Sequence, residues 1–156
     1  MNLHHIIKDG RIAKFSFCLR YTPAIFRVLV DKYVNAGADI FPMLEFLNAA
    51  LPLIKEKNKS INGSDEFKEP FRRYFKQQRY YMFPSFALNV EDTSQGIYVK
   101  FESYDNLSNM FFYLDESTEV MRRVLTAFLE SDIDAKLLQY TLEQCLEKVQ
   151  DYVPFD

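Results

Sequence analysis

Residues 85–104, SFALNVEDTSQGIYVKFESY, carry the pattern that decides the fold. Apolar and polar residues alternate through 85–91 and again through 96–104, which is the period of strands with one buried face. The intervening DTSQ consists of residues that are favoured in turns. A third short run, MFFYLD at 110–115, follows the turn-rich DNLSN. Together these segments predict a three-stranded antiparallel meander.

The two faces of this predicted meander differ in composition. Ile97, Val99 and Phe101 would pack under helices, because alternate residues of a strand point to the same side. The residues left on the opposite side are Tyr98, Lys100, Glu102, Tyr104, Phe111 and Tyr113. Tyrosine is favoured in interface cores, so this face is either covered by the N-terminal helices or offered to a partner. We take Tyr98, Tyr104 and Tyr113 as candidate partner-binding residues.

Two helices are predicted after the meander. Asp115 is expected to cap the first, which contains ESTEVMRRVLTAFLES, and Ser131 or Asp132 to cap the second. The second helix has an apolar stripe made of Leu138, Leu142, Cys145, Leu146 and Val149. Both helices are expected to pack on one face of the sheet, which makes the fold class α+β.

The N-terminal third reads as a strand followed by two helices. Residues 13–21, AKFSFCLRY, alternate as a strand does. Thr22 is expected to cap a helix that has Pro23 at its first position and runs to about Asn35. Gly37 fits the end of that helix.

A second helix is expected from Pro42 through MLEFLNAALPLIKEK, preceded by a cap or turn at Asp39. Pro52 should kink or end it, because proline lacks an amide donor and clashes with the preceding turn. The chain can then be divided into a strand-helix-helix module, 1–57, and a remainder, 58–156, that holds a basic helix, the sheet and the C-terminal helices. One continuous domain is the alternative.

The segment EPFRRYFKQQRYYMFP, residues 69–84, predicts an amphipathic helix that starts at Pro70. Its basic face consists of Arg72, Arg73, Lys76 and Arg79. This face could follow a phosphate backbone while Tyr80 and Tyr81 stack on bases. Equally, it could contact the acidic half of the chain or an acidic partner, or be a solvated helix face.

Charge is distributed unevenly along the chain. Residues 1–82 contain 14 Lys and Arg against 8 Asp and Glu, whereas residues 83–156 contain 5 against 14. Such asymmetry is typical of a part that binds polyanions joined to an acidic part, although two halves of one fold can also attract each other.

Residues 12–51 resemble the ribbon-helix-helix family of DNA-binding dimers, through the alternating strand, the Thr22-Pro23 helix start, the glycine-containing turn and the second helix. The resemblance implies that strands of two chains pair and enter the major groove. The outward strand residues would then read bases: Lys14, Ser16, Cys18 and Arg20. It also implies a homodimer in which the Phe15–Arg20 strands pair antiparallel across the two-fold axis.

Little in the sequence indicates catalysis or cofactor binding. The histidines, His4 and His5, lie near the N-terminus, and no phosphate loop or metal-ligand motif occurs. Cys18 and Cys145 are expected to be reduced, buried thiols. Glu130, Asp132 and Asp134 read as helix caps, with a metal site as the alternative. No signal peptide or membrane span is evident, so a cytoplasmic protein is expected.

These observations favour a non-catalytic regulator that binds nucleic acid through its basic N-terminal half. The alternative is a small protein inhibitor, immunity-like or antitoxin-like, that binds its target through an acidic, aromatic surface. The position of the acidic groups should discriminate between them, because acidic groups clustered on one exposed face suit a basic protein target.

Overall fold

The sheet has five antiparallel strands in a computed structural model that describes residues 2–5, 14–62, 86–103 and 109–153. The strands follow the order β1-β2-β5-β4-β3 across the sheet. Their bounds are β1 (Asn2–His5), β2 (Lys14–Cys18), β3 (Phe86–Thr93), β4 (Gly96–Ser103) and β5 (Asn109–Tyr113). The predicted meander is confirmed as β3, β4 and β5, because β4 pairs with both of the others.

The tight connection between β3 and β4 explains why the meander forms here. Thr93 pairs with Gly96, so that Ser94 and Gln95 make the turn. Gly96 has a φ of 126°, a conformation that L side chains rarely adopt. The Thr93 hydroxyl donates to the Gly96 carbonyl at 2.7 Å and accepts from the Gln95 amide at 3.2 Å.

The strand β2 lies inside the sheet and not at a dimer axis. It pairs with β1 on one side and with β5 on the other, and Phe15 is opposite Met110. The prediction that Phe15–Arg20 pairs across a two-fold axis is therefore wrong, because both edges of the strand are paired within the chain. Its short partner β1 was not predicted; four residues carry too little periodicity to be recognised.

Four α-helices share one core with one face of the sheet in the described part of the chain. They are α1 (Thr22–Asn35), α2 (Ile40–Asn62), α3 (Ser117–Glu130) and α4 (Lys136–Gln150). Strand residues Val99, Phe101, Met110 and Phe112 are fully buried in the same apolar cluster as all four helices. The fold is therefore α+β, with the C-terminal helices packed on the sheet as predicted.

The N-terminal helices belong to this same core. Both α1 and α2 pack against α3 and α4, and Phe26, Leu29, Met43 and Leu47 are buried in the common core. They do not cover the tyrosine-bearing face of the sheet, so the first of the two alternatives drawn from the sequence is wrong for these helices. The strand and helices predicted as a module in 1–57 thus share one sheet and one core with the later elements.

Helix starts differ from the predicted caps in three places. The Thr22 hydroxyl donates backward to the Leu19 carbonyl at 2.6 Å, so it closes a 3₁₀ turn, Leu19–Tyr21, and does not cap α1. Asp115 lies within a second 3₁₀ turn, Leu114–Glu116, which precedes α3. At α4 the Asp134 carboxylate accepts from the Lys136 amide at 2.8 Å, in place of the predicted Ser131 or Asp132.

The turn between α1 and α2 agrees with the sequence. Gly37 adopts a φ of 75° directly after α1, where a left-handed residue ends a helix. The Asp39 carboxylate accepts from the Phe41 amide at 3.1 Å, which is the expected cap of α2.

Helix α2 continues through Pro52 instead of ending there. Pro52 lies on the exposed side of the helix, where water can satisfy the carbonyl that loses its amide donor. Ala50 and Ile54 on the opposite side are buried, so packing holds both flanking turns against the core. Tertiary burial therefore keeps the helix continuous past the proline.

Polar contacts fix the C-terminal part of α2 to the α3–α4 connection. The buried Asn58 side-chain amide donates to the Ala135 carbonyl at 3.2 Å and to the Gln139 side chain at 2.7 Å. The Lys57 ammonium donates to the Leu129 and Ser131 carbonyls, which supplies donors and positive charge at the end of α3.

Candidate functional site

The sheet face opposite the helices carries the candidate site. We call it the outer face; it consists of Tyr98, Lys100 and Glu102 on β4 with Phe111 and Tyr113 on β5. Within the described ranges no helix covers it, and Lys100 and Glu102 are exposed. Strand register pairs Tyr98 with Tyr113 and Lys100 with Phe111, so the aromatic side chains lie in adjacent rows.

Two tyrosines form the centre of the outer face. The rings of Tyr98 and Tyr113 meet edge to face with centroids 5.1 Å apart and an interplanar angle of 63°. The Tyr113 hydroxyl donates to the Gln95 side-chain oxygen at 3.1 Å, which ties β5 to the β3–β4 turn. These contacts hold both rings in place before any partner arrives, and this reduces the entropy lost on binding.

Charged groups surround the tyrosine pair. The Lys100 ammonium lies 5.9 Å from the centre of the Tyr98 ring and 3.7 Å from a Glu91 carboxylate oxygen. Glu91 is paired with Tyr98 in the β3–β4 register, and Glu102 lies two residues beyond Lys100 on the same face. Lys14 of β2, opposite Phe111, brings a second cation to this face, so the carboxylates beside the tyrosine pair are concentrated on β3 and β4.

Burial raises the pKa of the Tyr98 hydroxyl, and Tyr113 raises it further. Tyr98 therefore stays neutral at physiological pH and presents a hydroxyl group that can donate as well as accept hydrogen bonds. Such a group suits a mixed polar and apolar contact.

The predicted partner-binding residues are partly brought together. Tyr98 and Tyr113 are in contact, as described above. Tyr104 lies outside the described residues, as does the predicted basic helix with Arg72, Arg73, Lys76 and Arg79.

The strand proposed to read DNA bases is arranged differently from the prediction. Lys14 is opposite Phe111 and Ser16 is opposite Asn109, which are register positions of the outer face. Cys18 is buried, and Arg20 lies in the 3₁₀ turn after the strand, although it is exposed. These residues do not form one outward row on a free ribbon, because β2 is paired on both sides.

The residues considered for catalysis or metal binding are scattered. His4 and His5 belong to β1, opposite Ser16 and Phe15. Asp134 caps α4, which agrees with the interpretation of that carboxylate as a cap. Among the residues that the structure describes, no group of three or more His, Cys, Asp or Glu is placed to hold a metal ion.

Sequence reasoning missed the contributions of Glu91 and Gln95. Both belong to β3 or its turn, and neither stands out by residue type. The alternation of β3 could have placed Glu91 on the tyrosine side, but only the strand register shows which residue is adjacent to Tyr98.

Comparisons with protein-family models, with curated proteins and with solved structures found no significant match. In the described part of the chain, none of the helices has the length and apolar character needed to cross a membrane.

Proposed function

We propose that this chain is a non-catalytic protein-binding module that uses its outer face to bind a basic, partly apolar surface of another protein. The observation that carries the proposal is the Tyr98–Tyr113 pair, held on an exposed sheet face among carboxylates. A small inhibitor of a basic target protein would have such a surface.

The aromatic content supports a protein partner. Large aromatic residues dominate the energetics of protein interfaces, and tyrosine is among the residues most often found at binding hot spots. Here Tyr98, Phe111 and Tyr113 are each only half-buried, on a face that contributes nothing to the helix-packed core. Leaving the apolar surface of these rings in water is unfavourable, and a partner that covers them would remove that cost.

Charge supports a basic target in preference to nucleic acid. Glu91 and Glu102 would repel phosphates, and the Lys100 ammonium already contacts Glu91. A partner surface that carries Lys or Arg would be attracted to the same carboxylates, which favours rapid and selective association. Nucleic-acid binding through Arg72, Arg73, Lys76 and Arg79 stays a prediction from the sequence.

The test compares a double variant, Tyr98→Ala with Tyr113→Ala, with the control Tyr152→Ala, which removes an exposed tyrosine following α4. Proteins cross-linked to immobilised wild-type chain are identified by mass spectrometry, and the candidate target is then purified. Calorimetry should give a dissociation constant at least about 30-fold weaker for the double variant, since a hot-spot residue contributes 2 kcal/mol or more. The Tyr152→Ala control should bind like the wild type.

Two results would contradict the proposal. One is a purified target that binds the double variant as tightly as the wild type. The other is retardation of a single-stranded oligonucleotide at about 0.15 M salt that disappears when Arg72, Arg73, Lys76 and Arg79 become Gln, because phosphate contacts dominate such binding. The second result would make nucleic acid the ligand.

A further inference from the structure

The strand β3 lies at one end of the sheet order, next to the outer face. Among the described elements it pairs with β4 alone. An end strand of eight residues presents backbone amides and carbonyls on its far side, since only alternate residues of an antiparallel strand bond to one neighbour. These groups can pair with a further strand.

A pocket opens beside this edge on the helix side of the sheet. It has a volume of about 230 Å³ and lies between β3 and the C-terminal end of α1. The sheet contributes Val90, Asp92 and Ile97, and the helix end contributes Lys32, Asn35 and Ala36. Val90 has 47% of its surface exposed although its register partner Val99 is fully buried, so the helices leave this end of β3 uncovered, while Leu88 earlier in the strand packs against the core.

We infer that β3 and this pocket bind an extended segment of a partner protein by adding a strand to the sheet. The inference rests on the proposed function and specifies how the partner makes contact. In strand addition, main-chain hydrogen bonds provide affinity and pockets for alternate side chains provide specificity. This pocket is smaller than the roughly 300 Å³ of the smallest small-molecule sites, so its size suits a single apolar side chain.

The geometry specifies the order of residues in that segment. A side chain that enters the pocket lies on the helix side, so its two sequence neighbours lie on the outer-face side. Glu91 is on that side, paired in register with Tyr98. The partner segment should therefore carry an aliphatic or aromatic residue directly next to Lys or Arg.

The ion pair at this edge leaves the Glu91 carboxylate accessible to a partner. Glu91 and Lys100 are 3.7 Å apart with 64% and 46% of their side chains exposed, and exposed pairs of this kind contribute little to stability. A cation from the partner can therefore take the place of Lys100. In the pocket itself, Lys32 and Asp92 have opposite charges, so the apolar surface of Val90 and Ile97 decides what binds there.

A second copy of the chain is the competing occupant. It would bring another acidic edge, with Glu91 and Asp92, toward the first, whereas a basic segment has complementary charge. We therefore commit to a basic, apolar segment from a different protein.

The test uses a displayed library of random 12-residue peptides, selected on the full chain, and a synthetic copy of the best peptide. The selected peptides should place Lys or Arg beside an apolar residue. Val90→Asp should weaken binding at least about tenfold, as should Ala36→Leu, which narrows the pocket. The control Leu53→Asp, at an exposed position on α2, should change binding less than about twofold. Thermal melting checks that each variant is folded.

Amide hydrogen exchange then distinguishes strand addition from simple pocket filling. The bound peptide should slow the exchange of about half the amides in β3, namely those that point away from β4. Unchanged exchange in β3, or a peptide that binds Val90→Asp as well as the wild type, would overturn the inference. Dimerisation that Val90→Asp abolishes would also overturn it, because the edge would then bind a second copy.

The double variant Tyr98→Ala with Tyr113→Ala separates the two proposals. If it binds the peptide within about threefold of the wild type but loses the purified target, both proposals hold. If it keeps the target while Val90→Asp loses the peptide, strand addition holds and the outer-face proposal fails. If Val90→Asp keeps both ligands while the double variant loses the target, only the outer-face proposal holds.

Discussion

The two faces of the sheet alternate along the same strands, yet within the described ranges the helices cover one face and leave the other exposed. On β5, Phe112 is fully buried under the helices, while its neighbour Phe111 lies half-buried on the outer face. On β4, Val99 and Tyr98 show the same contrast. The buried face uses aliphatic residues and phenylalanine, whereas the outer face uses tyrosines and charges. Residues that stabilise the fold are thereby separated by one position from residues available for binding.

The largest expected difference concerns the two adjacent phenylalanines. Phe112→Ala should lower the free energy of unfolding by about 3–5 kcal/mol, because it removes a fully buried ring and leaves a cavity. Phe111→Ala should cost about 1 kcal/mol, near the average for point mutants, because this ring is only half-buried. Urea unfolding with linear extrapolation measures both values. Equal losses would mean that both faces are part of the core.

A smaller effect tests whether polar bonds also hold the helix layer together. Asn58→Ala should cost about 1–3 kcal/mol, because it leaves the Ala135 carbonyl and the Gln139 side chain without this buried donor. Asn48→Ala, at an exposed position of the same helix, is the matched control and should change stability by less than about 0.5 kcal/mol. If Asn58→Ala unfolds at the same urea concentration as the control Asn48→Ala, the Asn58 contacts contribute no net stability.

The smallest effect, counted per unit of pH, concerns the buried thiol of Cys145. Burial raises the pKa of this thiol to about 12, and Asp31 adds to the shift. Because the pKa in the unfolded chain is lower, about 8.5, the stabilisation is complete below that value and is lost as pH rises toward 12. In a Cys18→Ala background we expect a loss of up to about 1.4 kcal/mol per pH unit in this window. The double variant Cys18→Ala with Cys145→Ala should not show the part of this pH-dependent loss of stability that comes from the Cys145 thiol.

Thiol labelling provides an independent check on Cys145. A disulfide reagent at pH 8 should leave the folded Cys18→Ala protein unlabelled and should react once the chain is unfolded in guanidinium, since the thiolate is the reactive form. Rapid labelling of the folded protein would show that the core around α4 opens easily. The face covered by helices would then also be accessible to solvent, and the difference between the two faces would be smaller than the burial of their residues indicates.

Much of the architecture could be predicted from local patterns. The meander, the helix ends at Asn35 and Gly37 and the stripe on α4 follow from periodicity and from the conformational preferences of glycine. The predicted caps at Thr22 and Asp115, and the predicted alternative that α2 ends at Pro52, were wrong. In each case a neighbouring 3₁₀ turn or the burial of flanking residues outweighed the residue's own preference.

The candidate site was predictable only in part. The alternation of β4 and β5 already placed Tyr98 and Tyr113 on one face, but it did not show that the N-terminal helices leave this face uncovered. Nor could it show that Glu91 lies beside Tyr98, or that Gln95 binds the Tyr113 hydroxyl, since those contacts depend on register and on the turn.

The sequence by itself determined the longer strands and helices and which face of each is apolar, because these properties repeat every two or 3.6 residues along the chain. Only the tertiary structure decided where the elements lie. It inserted β2 between β1 and β5, placed all four described helices on one side, and left Val90 exposed at the edge. The physical reason is that pairing partners and layers are selected by contacts between residues distant in sequence, which no local period records.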